Sequence, residues 1–298
     1  MKEPTPTRPG NAASDTSHGQ SAANLDPETV AGFGQEWARF DQTGTAQGEL
    51  EDLFTSYFRL FPWRLLPDSA IGFDLGCGSG RWAGFVAPKV GRLHCIDASS
   101  AALNVARRNL AARSNCEFHL ASVDSISLPD GSMDFGYSLG VLHHVPDTAA
   151  ALRCCVAKLK PDAPFLLYLY YAFDNRPAWY RLLWRATDLL RLAISRAPQP
   201  VKYWVTQGIA VFVYYPLARL ALLLEKLGLP VPSLPLYVYR NRSLYTMRTD
   251  ALDRFGTRLE KRFTAAEIRA MMEQAGLDRI AFMDAPPYWC AVGQRKPQ

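Results

Sequence analysis

Short apolar runs alternate with segments of helical spacing through most of the chain. Ile71–Leu75, residues 92–96 and Phe135–Leu139 are each about one strand long, a further strand is predicted over 116–123, and 164–171 is strongly apolar. Helices are predicted over 101–112, entered through Ser99 or Ser100 as N-cap, and over 148–159. Residues 264–275 carry a full helix signature, with Thr264 as N-cap, Glu267 three positions on and Gly276 as the stop. Two closing strands, 279–284 and 288–294, flank the turn Ala285-Pro286-Pro287. Strands alternating with helices predict an α/β fold on a doubly wound, mainly parallel, seven-stranded sheet. Ahead of it, Phe33, Trp37 and Phe40 are spaced for one face of a helix, and a helical pattern continues from Glu49 towards Phe61. These N-terminal helices either pack on the core or form a lid over a pocket.

The turn after the first strand, Gly76-Cys77-Gly78-Ser79-Gly80, holds the clearest chemistry. Glycines at alternate positions let a backbone approach a ligand where a Cβ would collide, and a helix N-terminus beyond offers free N–H groups. A dinucleotide loop would need glycine where Arg81 stands, and no Gly-Lys-Ser or Gly-Lys-Thr occurs to make a phosphate loop. What remains is D-x-G-x-G-x-G, beginning at Asp74. Asp97 closes the second strand about 20 residues after the turn, where a carboxylate can accept ribose hydroxyls. Asp124 closes the third. Ligands of open α/β sheets sit beyond the carboxyl ends of the strands, so Asp74, Asp97 and Asp124 are expected to converge on one crevice.

These residues resemble a class I S-adenosylmethionine-dependent methyltransferase, of the type 11-like, Rossmann-like kind. The resemblance rests on Asp74-Leu75-Gly76-Cys77-Gly78-Ser79-Gly80, Asp97, Asp124 ahead of Leu128-Pro129, and Met133-Asp134-Phe135 leading to Ser138-Leu139-Gly140-Val141-Leu142-His143-His144-Val145-Pro146-Asp147. It covers residues 70–170, and 260–295 as a closing helix and strand pair. It implies S-adenosyl-L-methionine as cofactor, with Gly76, Gly78 and Gly80 under its methionine part and Asp97, beside Ala98, on the ribose. Asp124 with Val123 and Ser125 would meet the adenine, and Leu139 would lie in the same binding set. Arg81 would reach the carboxylate or cap its helix. The resemblance also implies that the last strand runs antiparallel.

The remaining features bound this reading. The chain has 298 residues, 48% of them hydrophobic and 20% charged, enough for a substantial core. Six cysteines without a C-x-x-C pair read as thiols of a reducing compartment, and no metal site is suggested. Residues 1–24 are polar and lack the apolar core of a signal peptide, so a disordered tail and a cytoplasmic location are expected. The expected division is a core of 25–171 plus 260–298, with the N-terminal lid, interrupted by an insertion at 172–259.

That insertion is far longer than an ordinary connection. Between Arg176 and Pro230 it carries eight basic residues against two acids, a surplus of six. Trp179, Leu182, Leu183, Ala186, Leu190 and Ala193 recur at helical spacing, with Arg181, Arg185 and Asp188 on another side. Residues 204–224 have the length of a membrane span, but Gln207, Gly208, Pro216 and Arg219 interrupt them and disfavour one. Three readings stay open: a helical cap burying its apolar faces on the sheet edge, a peripheral attachment to a lipid surface, or a homodimer interface. Basic residues interleaved with bulky aliphatics disfavour nucleic acid.

Candidate catalytic groups come from the loops after the fourth and fifth strands: His143, His144, Tyr171 and Asp174. Imidazole titrates near neutrality and can take a proton, whereas Tyr171 and Asp174 could position an amine or hydroxyl. The expected activity is methylation of a small, partly hydrophobic metabolite. Intramolecular displacement on S-adenosylmethionine with release of methylthioadenosine, and a non-catalytic binding or membrane-associated protein, are the alternatives.

Overall fold

A computed structural model describes residues 24–297. The expected tail, 1–24, lies outside the described residues except for Asn24, which is tied down. Its backbone N–H donates to Asp124 at 2.8 Å, and its side chain exchanges two bonds with the Asp147 backbone at 2.7 and 2.8 Å.

Seven strands form one sheet: β1 Ile71–Leu75, β2 Arg92–Asp97, β3 Cys116–Leu120, β4 Phe135–Leu139, β5 Pro164–Tyr168, β6 Leu277–Phe282 and β7 Ala291–Arg295. Their order is β3-β2-β1-β4-β5-β7-β6, parallel throughout except for β7, which runs antiparallel to both neighbours. The sheet is the doubly wound, mainly parallel one that the alternation of runs predicts. The reversal of order between β1 and β4 opens a crevice beyond their carboxyl ends.

The helices are α1 Pro27–Arg39, α2 Gln47–Tyr57, α3 Ala83–Val86, α4 Ser100–Asn109, α5 Thr148–Lys158, α6 Ala178–Ser195, α7 Gln199–Ile209, α8 Tyr215–Lys226, α9 Leu244–Gly256 and α10 Ala265–Gln274. Caps set several of their starts. Ser99 accepts from Ala102 N–H ahead of α4, and Thr264 with Glu267 closes a reciprocal capping box on α10. Two apolar layers sandwich the sheet. One contains Phe73, Ile96, Leu152, Leu167 and Ile268, the other Leu93, Leu103, Phe135, Tyr137 and Leu166. A third, smaller cluster joins Ile194, Ala210, Tyr214, Ala218, Met247 and Phe255 of the helices between β5 and α10.

Some elements are shorter than their apolar runs. β5 stops at Tyr168 rather than residue 171, because the chain turns to pair Tyr171 with Phe263 in an isolated bridge. β3 stops at Leu120, ahead of a tight turn over Val123–Ser125. The span 204–224 is part of one helix running Gln199–Lys226, which passes through a π-helical segment, Ala210–Tyr214. Pro216 has no N–H to donate one turn back, and the widened turn absorbs that loss.

The amphipathic pattern of α6 orients opposite to the docked-cap expectation. Its inner side carries Arg191, Ile194 and Ser195, while Trp179, Leu182, Leu183 and Leu190 are exposed. Arg191 is satisfied there by Asp188 at 2.6 Å and by the Thr257 carbonyl at 3.0 Å, so a buried cation fixes the helix rotation.

Candidate active site

A cavity of about 920 Å³, open solvent at its mouth included, lies beyond β1, β2 and β4 under α1. Its floor is the glycine turn. Gly76, Gly78 and Gly80 have φ of +75°, +54° and +78°, a region that disfavours any side chain. A Cβ on Gly76 would stand 2.3 Å from a Val141 methyl, and one on Gly78 would stand 2.9 Å from the Trp37 indole. Gly80 instead packs against Leu110 of the chain after α4, which its Cβ would meet at 2.8 Å, and it is not part of the cavity wall.

Asp97 occupies the wall at the end of β2, with Ala98 and Ser99 beside it. Its carboxylate accepts from Gly78 N–H at 2.9 Å and from Ser99 N–H at 2.8 Å, which locks its orientation. Burial raises its pKa, and the two backbone donors oppose that rise. Arg81 lines the wall with its guanidinium 4.2 Å from the Trp82 ring centre, and its buried Nε has no partner. The far wall comprises Ala121, Ser122, Val123, Leu139, Gly140 and Val141, and α1 closes the cavity from above with Val30, Phe33 and Trp37. Phe40, the third aromatic of that helix face, packs edge-on to Tyr245 instead.

Only one of the three expected acids reaches the cavity. Asp74 lies within β1, opposite Cys95 and Tyr137, so strand alternation turns it into the buried layer with them. Burial pushes its pKa up to about 8. Asp124 is on the outer surface of its turn, held by Asn24 N–H and the Ser122 hydroxyl, whose bond lowers its pKa. Ser125 completes that turn, accepting from Ser122 N–H at 3.1 Å, and is outside the wall as well.

Asp74 has a testable consequence for stability. The folded state holds its proton more tightly than the unfolded chain, whose carboxyl titrates near 3.8. Rising pH between about 4 and 8 therefore removes stability. Asp74→Asn is expected to flatten that decline in a series of thermal midpoints against pH. A slope equal to that of the wild type would refute the assignment.

The candidate catalytic residues separate. His144 lines the cavity against Phe33, with ring centres 4.9 Å apart. Its Nδ1 donates to the Leu259 carbonyl at 2.6 Å, leaving Nε2 without a hydrogen-bond partner, 3.8 Å from Asp253. Burial lowers its pKa to about 4, so it is neutral at pH 7. His143 is fully buried behind it, its ring tilted against that of Tyr170 with centres 3.9 Å apart and both nitrogens unpartnered, and burial holds it well below its usual pKa. Tyr171 packs between Phe173 and Tyr288 away from the cavity. Asp174 is committed to structure: it accepts from Trp289 Nε1 at 2.7 Å and from Ala265 N–H at 3.1 Å, at the start of α10.

Sequence reasoning missed Asp250 and Asp253 on α9. Burial raises both to about 6, and Asp253 also accepts from the Tyr170 hydroxyl. Two acids three positions apart, among the buried Met247, Ala251 and Leu252, are a signal visible in a helical reading of that segment. Glu36 of α1 lies near both. Its pKa is raised well above normal by burial first and then by their charges. It lines a second cavity of about 1000 Å³, open solvent included, between α1 and the start of α7, and Thr29 belongs to both cavities. Outside the cleft, His94, Glu117 and His119 cluster on β2 and β3 with their ligand atoms within 4.8 Å of one another. His94 and His119 lie 3.0 Å apart there, and Arg92 pairs with Glu117 at 3.2 Å.

A glycine cradle that excludes side chains, a fixed carboxylate at the end of β2 and an unpartnered guanidinium donor fit an adenosyl amino-acid ligand. Residues 73–167 match the family described as a methyltransferase domain. These residues form a class I S-adenosylmethionine-dependent methyltransferase domain, whose cofactor is S-adenosylmethionine. It is similar to the ubiquinone biosynthesis O-methyltransferase of Methylocella silvestris, 29% identical over 157 residues, which are 47% of this chain and 61% of that one. The corresponding enzyme of Xanthomonas axonopodis pv. citri is 26% identical over 192 residues, 63% of this chain and 75% of that one. An uncharacterised 37.1 kDa protein from a Streptomyces fradiae transposon is 30% identical over 226 residues, 74% of this chain and 59% of that one.

Proposed function

We propose that the protein methylates a hydroxyl group of a hydrophobic acceptor, an O-methyltransferase like its relatives named for ubiquinone biosynthesis. Bound S-adenosylmethionine supplies an electrophilic methyl group. Asp97 accepts the ribose hydroxyls on the lone pairs left free by Gly78 and Ser99. Gly76 and Gly78 admit the methionine part, and Arg81 donates to its carboxylate. Ser122 and Val123 flank the adenine. Phe33 and Trp37 exclude water from above.

The observation that carries the proton step is His144. It is neutral, lines the cavity, is held in one tautomer by Leu259, and keeps an unpartnered Nε2. His144 accepts the acceptor's hydroxyl proton, and the Asp253 carboxylate 3.8 Å away stabilises the imidazolium. His143, Tyr171 and Asp174 lie outside the cavity wall and take no part in the proton step.

His144→Gln is expected to lower kcat by about a hundredfold or more, the usual contribution of a positioned base. Asp253 loses its charge as pH falls through about 6, so kcat/KM should decline on that acid side, and Asp253→Asn should abolish the limb. Glu260, Arg262 and Tyr170 face the same carboxylate, so the limb is read as the difference between wild type and variant. An unchanged profile in Asp253→Asn would remove Asp253 from the step. The activity itself is tested by incubation with S-adenosylmethionine and an alkylated catechol. S-adenosylhomocysteine formed only with the acceptor supports methyl transfer; methylthioadenosine without it would support the intramolecular reaction instead.

A further inference from the structure

The helices between β5 and α10 present their large apolar side chains outward and their small or polar ones inward. Along Gln199–Lys226 the buried positions are Thr206, Gln207, Ala210, Tyr214, Ala218 and Ala221. Phe212 is 80% exposed and Trp204 72%, and Leu220 and Leu223 stand outward on the same helix. On α6, Leu182 is 68% exposed, beside Trp179 and Leu190. In water this arrangement opposes the hydrophobic effect, and this many large apolar side chains turned outward on consecutive helices exceed what isolated surface leucines explain.

The inner side shows why the helix does not roll over. Gln207 accepts from Arg248 Nε at 2.5 Å, and Arg219 donates to the Arg240 and Arg242 carbonyls at 2.7 and 3.0 Å. Ala210, Tyr214 and Ala218 pack on Met247, Ala251 and Phe255. The polar residues that interrupt the span are therefore used against the protein, and no charge occurs from Tyr203 to Ala218.

We propose that the outer face of α6 and of the Gln199–Lys226 helix docks on an anionic lipid bilayer, lying in its interfacial plane. The helix is long and apolar enough to cross a membrane by length and composition, but its inner side is bonded to α9, which keeps it parallel to the surface. Arg181, Arg185, Arg196 and Lys226 are exposed on the same elements, and the Arg176 to Pro230 segment carries its surplus of six positive charges. That charge suits anionic headgroups and opposes a symmetric contact between two copies, which would set the surplus against itself. Trp179 and Trp204 place indoles where an apolar body and a wet edge are both satisfied. The surface is independent of the identity of the methyl acceptor.

The test is flotation of the full chain with vesicles of phosphatidylcholine, with and without phosphatidylglycerol. The protein is expected to rise with the anionic vesicles, and added salt should weaken the association. A Phe212→Glu/Leu220→Glu variant should lose vesicle partition by about tenfold or more, with circular dichroism and S-adenosylmethionine affinity unchanged to show that it folds. Arg181→Gln/Arg185→Gln should reduce the preference for anionic over neutral vesicles. Wild-type protein left at the bottom with both vesicle types would overturn the proposal. So would a glutamate variant that floats like the wild type. A wild-type dimer by light scattering that the glutamate variant converts to monomer, without vesicle association, would assign the face to a second copy instead.

Discussion

Replacing Asp97 with alanine is expected to weaken S-adenosylmethionine binding by about a hundredfold or more. Two bonds from ribose hydroxyls to an ionised acceptor are each worth roughly 1.5–3 kcal/mol, and about 1.4 kcal/mol is a factor of ten. Because Gly78 and Ser99 N–H groups already hold the carboxylate, little of that energy goes into fixing its orientation. The same bonds mean that the alanine variant leaves two backbone donors without an acceptor, so part of any loss comes from a loosened glycine turn. Asp97→Asn separates the two effects. It keeps an oxygen acceptor for one backbone N–H but loses the charge, and should bind the cofactor weakly while melting closer to the wild type. Calorimetric titration of both variants reads the result, and an affinity within about threefold of wild type in folded alanine variant would remove Asp97 from the ribose site.

Gly72→Ala should be the most damaging small substitution for stability, at about 1–3 kcal/mol or more, the range for overpacking a filled core. Gly72 pairs with Phe135 across β1 and β4, and in the next register position Phe73 pairs with Gly136. Each glycine receives the ring of the phenylalanine opposite. A Cβ on Gly72 would lie 2.2 Å from the Phe135 ring, and one on Gly136 would lie 2.4 Å from the Phe73 ring. Both rings are fully buried, so neither can swing out to water. Denaturant unfolding measures the loss, and a change below about 0.5 kcal/mol would mean that the rings give way freely. The effect matters for function because β1 and β4 carry the glycine turn and the Gly140 to His144 loop from their carboxyl ends.

The Asp97 and Gly72 arguments differ in how far the chain announced them. The fold class was legible because strands buried on both faces leave continuous apolar runs, and because caps such as Thr264 with Glu267 act within one turn of helix. The glycine turn and its neighbours in the cavity wall were legible for the same reason. Gly76, Gly78, Arg81 and Asp97 lie within a few residues of a strand end, and local geometry carries them to the cavity. Asp74 and Asp124 fooled the local argument by one step of the pleat and by an anchored turn. His143 and His144 are adjacent in sequence, yet only the fold places one in the wall and the other behind it.

By itself, then, the sequence determined what depends on neighbours along the chain: the strand and helix succession, the positive-φ glycine turn and the carboxylate at the end of β2. Tertiary structure decided what depends on distant partners. It set the Asp253 carboxylate beside His144, folded Phe135 over Gly72, and turned the apolar stripe of α6 outward. The last reversal has a plain physical cause. Periodicity states that a helix has two faces, but which face meets the protein was settled by Asp188 and the Thr257 carbonyl satisfying a buried Arg191.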